Sequence, residues 1–274
     1  MKRFKFPIDL IEFPIKYSNN LKVLKGKERL LEFYLEGRYG PYYIDAPRKY
    51  KLMDIRTLLA TLYFTDYYKD ISFEEKFTNW LNLLEVSDTG FYRKAILKGL
   101  NFLKTTTFYT PYIYDTEKEV RKSISSFREA IRKKEIPSYA VWGVLDSYGH
   151  LEDYEHRKCK IKVNLGKMFY DRIFKNKYFT LINFKKALPL REIALNLYLL
   201  ARRQDPKYIQ NFPINFDTLK KHIGITTKHV TEARKLFEKA WRDIKDAGLL
   251  LSYKYDLKEK EDLIWFYIQK SLKD

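Results

Sequence analysis

The sequence predicts a helix-rich α+β protein of two domains, each a short series of helices closed by a two-stranded β-ribbon. Three observations predict it. Residues 178–268 carry three helical apolar patterns followed by two aromatic and aliphatic runs. Residues 52–114 repeat that order of elements. A chain of 274 residues, 45% of them hydrophobic, is long and apolar enough to bury two cores.

Taken in order, Met1–Asn20 is irregular and holds Pro7 and Pro14. Arg29–Leu35 and Tyr42–Asp45 read as a hairpin around the Gly- and Pro-containing turn Glu36–Pro41. After the basic connector Pro47–Lys51, Leu52–Tyr68 reads as a helix with Ile55, Leu58, Leu59, Leu62 and Tyr63 along one side. Ser72 and Glu75 have capping-box spacing, which places a second helix from there through Leu84. Ser87–Gly90 is a turn. A third helix from Thr89 to about Lys104 buries Tyr92, Ile96, Leu100 and Leu103, and leaves Arg93, Lys94, Lys98 and Asn101 outside. Thr105–Tyr114 is β-rich. Glu119–Lys134 reads as a charged helical insertion ended by Pro137. Ser138–Leu145 and Cys159–Asn164 are strand-like and flank a polar turn, Asp146–Lys158; they form the ribbon of the first domain. Leu165–Phe174 is a short amphipathic helix. The junction is Lys175–Tyr178, so the domains are 1–175 and 176–274. No Ser/Gly-rich linker separates them.

In the second domain Leu190, Ala194, Leu197, Tyr198 and Ala201 mark a helix over Leu190–Arg203. Asn215 is a good N-cap for a short helix, Phe216–His222, which Gly224 ends. A long helix follows Thr226–Thr227, with Val230, Ala233, Phe237, Ala240, Trp241, Ile244 and Ala247 on its apolar side. Lys228, Thr231, Arg234, Lys235, Lys239 and Arg242 lie off that stripe. Gly248 is the expected stop. Leu249–Asp256 and Leu263–Ile268 then read as strands around the polar turn Lys258–Asp262.

Helices, basic helix, ribbon is the order of a winged helix, a helix-turn-helix with a β-ribbon wing. The expected fold is therefore two tandem winged-helix domains. In such domains the last helix enters the DNA major groove. The expected DNA-binding residues are Thr226, Thr227, Lys228, Thr231, Arg234, Lys235 and Lys239 in the second domain. In the first they are Thr89, Arg93, Lys94 and Lys98. The competing reading is a helical core with a solvated basic outer face.

Composition narrows the function. A formal net charge of +18 and a pI near 9.6 point to a polyanionic partner. No apolar run approaches the roughly 20 residues of a membrane span. Met1–Asp9 lacks the apolar core of a secretory signal. Cys159 is the single cysteine, which excludes an internal disulfide and a Cys-pair zinc site and suits the cytoplasm.

The chemistry of the obvious nucleic-acid enzymes is missing. No G-x-x-x-x-G-K-[S/T] phosphate loop occurs, since Gly166–Lys167 is followed by Met168. His150, His156, His222 and His229 make neither a His-x-His pair beside a nucleophilic Tyr nor a His-x-x-Arg. His150, Glu152, Asp153, Glu155 and His156 crowd the ribbon tip, where a solvated mixed-charge turn outweighs a metal site. The expectation is a protein that is not an enzyme and carries no cofactor or metal.

Lys177–Asn183 (KYFTLIN), Pro189–Leu199 (PLREIALNLYL), Ile214–Ile225 (INFDTLKKHIGI) and Phe237–Ser252 (FEKAWRDIKDAGLLLS) resemble segments of the bacterial plasmid replication initiators with two tandem winged-helix domains. In the first half Asp54–Leu62, Ser87–Thr105 and Tyr139–Val163 resemble the corresponding helix, recognition segment and wing. The inserted helix and the Tyr-rich, basic character depart from that family. The resemblance implies a non-enzymatic initiator that binds direct repeats at an origin (iterons), helps to open A·T-rich DNA and recruits a host helicase or its loader. It also implies a homodimer that represses its own promoter. In that family the second domain reads bases more heavily. The alternative is a winged-helix transcriptional regulator of a plasmid, phage or host. A nucleic-acid-processing enzyme and a charge-driven scaffold are the remaining classes.

Overall fold

In the computed structural model of the chain, the described residues are 3–7, 10, 35–37, 40–48, 51–110, 125–126, 129–130, 132–133, 140–153, 158–176, 179–203, 213–227, 229–248, 251–258 and 261–268. They form a helix-rich α+β protein. Its contacts divide it into two compact units, an N-terminal unit of Lys5–Phe179 and a C-terminal unit of Thr180–Asp274 joined by Met1–Phe4. The sequence reading put the junction a few residues earlier, in Lys175–Tyr178.

The chain opens with strand β1, Arg3–Pro7. Strands β2 (Leu35–Gly37) and β3 (Gly40–Asp45) pair antiparallel, with Gly37 opposite Gly40. The hairpin turn is thus tighter than Glu36–Pro41, and Arg29–Tyr34 lies outside the described residues. Helix α1 spans Leu52–Tyr68. It is buried on nearly every face, as a helix at the centre of a core is. Its polar members tolerate this because Thr57, Thr61 and Thr65 each donate a hydroxyl hydrogen bond to the carbonyl four residues earlier, at 2.8, 2.8 and 2.9 Å. Asp54, 2% exposed, takes a two-pronged ion pair from Arg48 at 2.6 and 2.7 Å and a bond from the Lys51 backbone N–H at 2.7 Å.

Next comes a departure from the sequence expectation. Ser72–Lys76 is strand β4, not the first turn of a helix; the short helix α2 is Phe77–Leu83. Glu75 does act at that helix start, where its Oε1 accepts from Lys76 N and from Asn79 Nδ2. Ser72 caps no helix: the N-cap of α2 is Lys76, which makes no side-chain capping bond. The backbone before it is taken by a ladder to a strand far along the chain, described below.

Helix α3, Gly90–Thr105, follows. Ile96, Leu100, Phe102 and Leu103 are buried against the core. Strand β5 (Thr107–Thr110) pairs with β3 and with β6 (Ala140–Gly143), giving the order β2-β3-β5-β6. Most of the charged insertion lies outside the described residues; residues 125–126, 129–130 and 132–133 of it are helical.

The ribbon of this unit differs from expectation. Leu145–Asp153 is a nine-residue strand, β7, where a long polar turn was expected. It pairs with β8, Lys158–Leu165, while Ala140–Gly143 belongs to the other sheet. Half of β7 is polar because a ribbon exposes one face; alternation over so short a run is easily taken for a turn. The ladder that captures β4 is with β8, from Ser72 opposite Asn164 to Lys76 opposite Lys160. The sheet order is β4-β8-β7. Helix α4, Lys167–Phe174, closes the unit.

The C-terminal unit starts with β9 (Phe179–Asn183), a one-turn helix α5 (Phe184–Ala187) and α6 (Glu192–Arg203). Phe4 packs edge-on against Phe184, centroids 5.9 Å apart. Strand β10 (Pro213–Asn215), which the sequence reading did not anticipate, leads into α7 (Phe216–Ile223). Asn215 Oδ1 accepts from Asp217 N at 2.9 Å, the expected capping interaction. Gly224 turns the chain at φ +84°. Helix α8, Val230–Asp246, buries Ala233, Phe237, Ala240, Trp241 and Ile244. Val230, expected on the apolar side, is 46% exposed, because it is the first residue of the helix and the buried side begins at Ala233. Gly248 stops the helix at φ +67°. Strands β11 (Leu251–Lys258) and β12 (Glu261–Ile268) form a hairpin with Lys258 opposite Glu261. The sheet order is β10-β12-β11.

The two units therefore share one topology. A helix, a strand, a short helix, a longer helix and a hairpin follow one another, and the early strand pairs with the second strand of the hairpin. The N-terminal unit adds β5, the charged insertion and β6 between the longer helix and the hairpin.

Candidate nucleic-acid interface

In each unit the longer helix presents one face to solvent, and that face holds the candidate residues. On α3 the exposed residues recur as Phe91, Lys94, Lys98, Asn101 and Thr105, at the three- and four-residue steps that make one stripe. The helix contains Arg93, Lys94, Lys98 and Lys104 and no acid. Lys94 and Lys98 are exposed and enter no ion pair among the described residues.

Two residues singled out in the sequence have structural work here instead. Thr89 is the N-cap of α3, and its hydroxyl accepts from Tyr92 N at 3.4 Å. Arg93 is clamped to Asp88 by two bonds, Nε–Oδ1 at 2.6 Å and Nη2–Oδ2 at 2.8 Å, and lies over the Phe77 ring at 5.2 Å. The same pair holds the Asp88 carboxyl below the usual carboxylate range, because the guanidinium hydrogen bonds favour the anion. Arg93 thus ties α3 to the preceding turn and to α2.

On α8 the exposed residues include Thr231, Lys235, Glu238, Lys239, Arg242 and Lys245. Five cations on this helix face four acids, so its field is far weaker than that of α3. Thr226 is exposed just before the helix. Thr227 is committed locally: its hydroxyl donates to Glu232 Oε2 at 2.6 Å and accepts from His229 N at 3.3 Å. Arg234 is half-buried at the side of the exposed stripe. Lys228 lies outside the described residues. Arg191 holds α8 from α6's side by a two-pronged pair with Asp243, at 2.7 and 2.9 Å.

The hairpin of the N-terminal unit reaches α3 through the Tyr148 hydroxyl, 3.4 Å from Asn101 Oδ1. Its outer surface carries Leu151 and Lys162, while His150, on the other face, meets the Phe77 ring edge-on at 5.7 Å. Among the described residues no three His, Cys, Asp or Glu side chains gather as metal ligands would; Glu155 and His156 of the ribbon tip lie outside them. Among the described residues, too, no helix is long and apolar enough to cross a membrane.

Sequence reasoning brought Lys94 and Lys98 together on one face, and likewise Thr231, Lys235 and Lys239. It missed Phe91. That ring is 74% exposed, the most exposed of the large apolar side chains among the described residues. An apolar residue beside Tyr92 in a helical pattern carries no signal of exposure; only the register of α3 against the core reveals it.

No protein-family model and no curated protein sequence matches the chain. Solved structures do. The chain is similar to a selenomethionine crystal structure of domains 2 and 3 of RctB, a Vibrio protein, with a TM-score of 0.55 and 14% identity. That likeness covers 86% of this chain and 90% of the other. A second crystal structure of RctB domains 2–3 gives a TM-score of 0.51 at 14% identity, covering 85% and 88%. At this identity the likeness establishes a shared fold.

Proposed function

We propose that the chain is a sequence-specific duplex-DNA-binding replication initiator made of two winged helices, with α3 and α8 as recognition helices. The observation that carries this reading is the repeated topology. Each unit pairs its early strand with the second hairpin strand and sets a surface helix with lysines before that hairpin. RctB is a replication initiator, and the likeness to its domains 2 and 3 spans both units rather than one DNA-binding module. That favours an initiator over a transcriptional regulator. The expected partners are direct repeats at an origin and a host helicase or its loader, with a second copy of the chain as dimer partner. No catalytic step is assigned.

Footprinting tests the reading. A duplex selected by the intact chain from a randomised pool should be protected over roughly two helical turns, the length two recognition helices in successive major grooves would cover. Placed beside an A·T-rich tract on a supercoiled plasmid, the same site should make thymines in that tract reactive to permanganate. Protection of a single turn would argue against docking of both units. Protection without permanganate reactivity would support the regulator instead.

A further inference from the structure

The first turn of α3 offers few groups to a DNA groove. Thr89 spends its hydroxyl on the cap, and Arg93 is held by Asp88 and Phe77. Lys94 and Lys98 sit further along. The side chain that reaches outward is Phe91, 74% exposed, its ring braced edge-on by Tyr92 at 5.2 Å. A lone exposed ring needs no explanation. This one heads the same stripe as Lys94, Lys98 and Asn101, on a helix without an acid, and in the N-terminal part, which faces base edges when such a helix enters the major groove. Gly90 before it has open space where a Cβ would stand, so nothing crowds the approach.

We propose that Phe91 is the base-contacting residue of the N-terminal unit, packing its ring on the 5-methyl group of a thymine while Lys94 and Lys98 take flanking phosphates. This rests on the DNA-binding reading above. The major groove displays the thymine methyl, and an apolar side chain is the group that recognises it. The N-terminal unit would then contribute specificity of its own rather than charge alone.

The test uses the intact chain and its Phe91→Ala and Phe91→Leu variants. Wild type selects duplexes from a pool randomised over about two helical turns. Each thymine of the enriched duplex is then replaced in turn by deoxyuridine, which removes the methyl and nothing else. One replacement should weaken wild-type binding about four-fold, the worth of one buried methyl. It should weaken Phe91→Leu less and leave Phe91→Ala unchanged. A response to deoxyuridine that is the same in wild type and Phe91→Ala at every position overturns the proposal. So does a loss of affinity in Phe91→Ala on all duplexes with no methyl-sensitive position, the signature of a ring wedged between base steps. If wild type enriches no duplex, the DNA-binding reading itself fails. Phe91 is exposed, so the variants should keep the wild-type melting temperature.

Discussion

Gly99 shows how one residue sets the placement of the candidate surface. A Cβ built there would lie 2.5 Å from Thr57 Oγ1 and 2.9 Å from Thr57 Cβ. Thr57 is fully buried and its hydroxyl is engaged with the Met53 carbonyl. Glycine is therefore what lets α3 approach α1 closely enough to seal the core and turn its lysine stripe outward. Gly99→Ala should cost about 1–3 kcal/mol, the usual penalty of overpacking. The measurement is a urea transition, whose midpoint should fall at constant slope. Adding Thr57→Ala should restore part of the loss. An unchanged midpoint would show that α1 and α3 can move apart at little cost. Gly166 carries a stricter version, since its Cβ would run into the Gly143 carbonyl oxygen, which is backbone and has no rotamer to change.

At the scale of elements, α3 and α8 differ in charge, and the proposed reading ties a different kind of contact to each lysine-bearing face. Helix α3 has four cations and no acid, whereas α8 sets five against four. An unopposed cationic stripe binds any phosphate backbone; a mixed stripe with short polar groups such as Thr226 and Thr231 depends on which edges it meets. Lys98→Ala should weaken binding to all duplexes alike and lower the slope of log affinity against log salt by about one unit. Lys235→Ala, at an exposed position near the start of α8, should cost about 1–3 kcal/mol on the selected duplex and flatten preference at one base pair. Anisotropy titrations across salt concentrations and point-changed duplexes separate the two. Equal, sequence-blind losses in both variants would mean that both helices act only as electrostatic faces.

For the molecule as a whole, the reading requires binding without covalent chemistry on DNA. Supercoiled plasmid carrying the selected site, incubated with the chain with and without Mg²⁺, should stay unnicked and free of a covalent protein–DNA adduct. A tyrosine adduct would move the protein into the relaxase class, which the sequence disfavours because its four histidines make no His-x-His pair. The plan of the molecule strengthens the binding reading, since the same topology occurs twice in one chain and each copy carries its lysines on the corresponding helix.

By itself the sequence determined the long helices and much of their polar faces. Leu52–Tyr68 and the close of the long C-terminal helix at Gly248 were readable because helical hydrogen bonds and side-chain neighbours lie three or four residues apart, inside any local window. The stripe of Lys94 and Lys98 was readable for the same reason. What tertiary structure decided was strand partnership. Ser72 and Glu75 carry a helix-start signal, yet Ser72–Lys76 is a strand, because its partner β8 lies far along the chain; Glu74 and Lys160, ion-paired at 2.6 Å, are 86 residues apart. The ribbon Leu145–Leu165, the strand Pro213–Asn215 and the outward turn of Phe91 were hidden on the same ground. A strand's backbone is satisfied by a partner that local pattern does not name, and a side chain's exposure depends on which neighbours the fold brings against it.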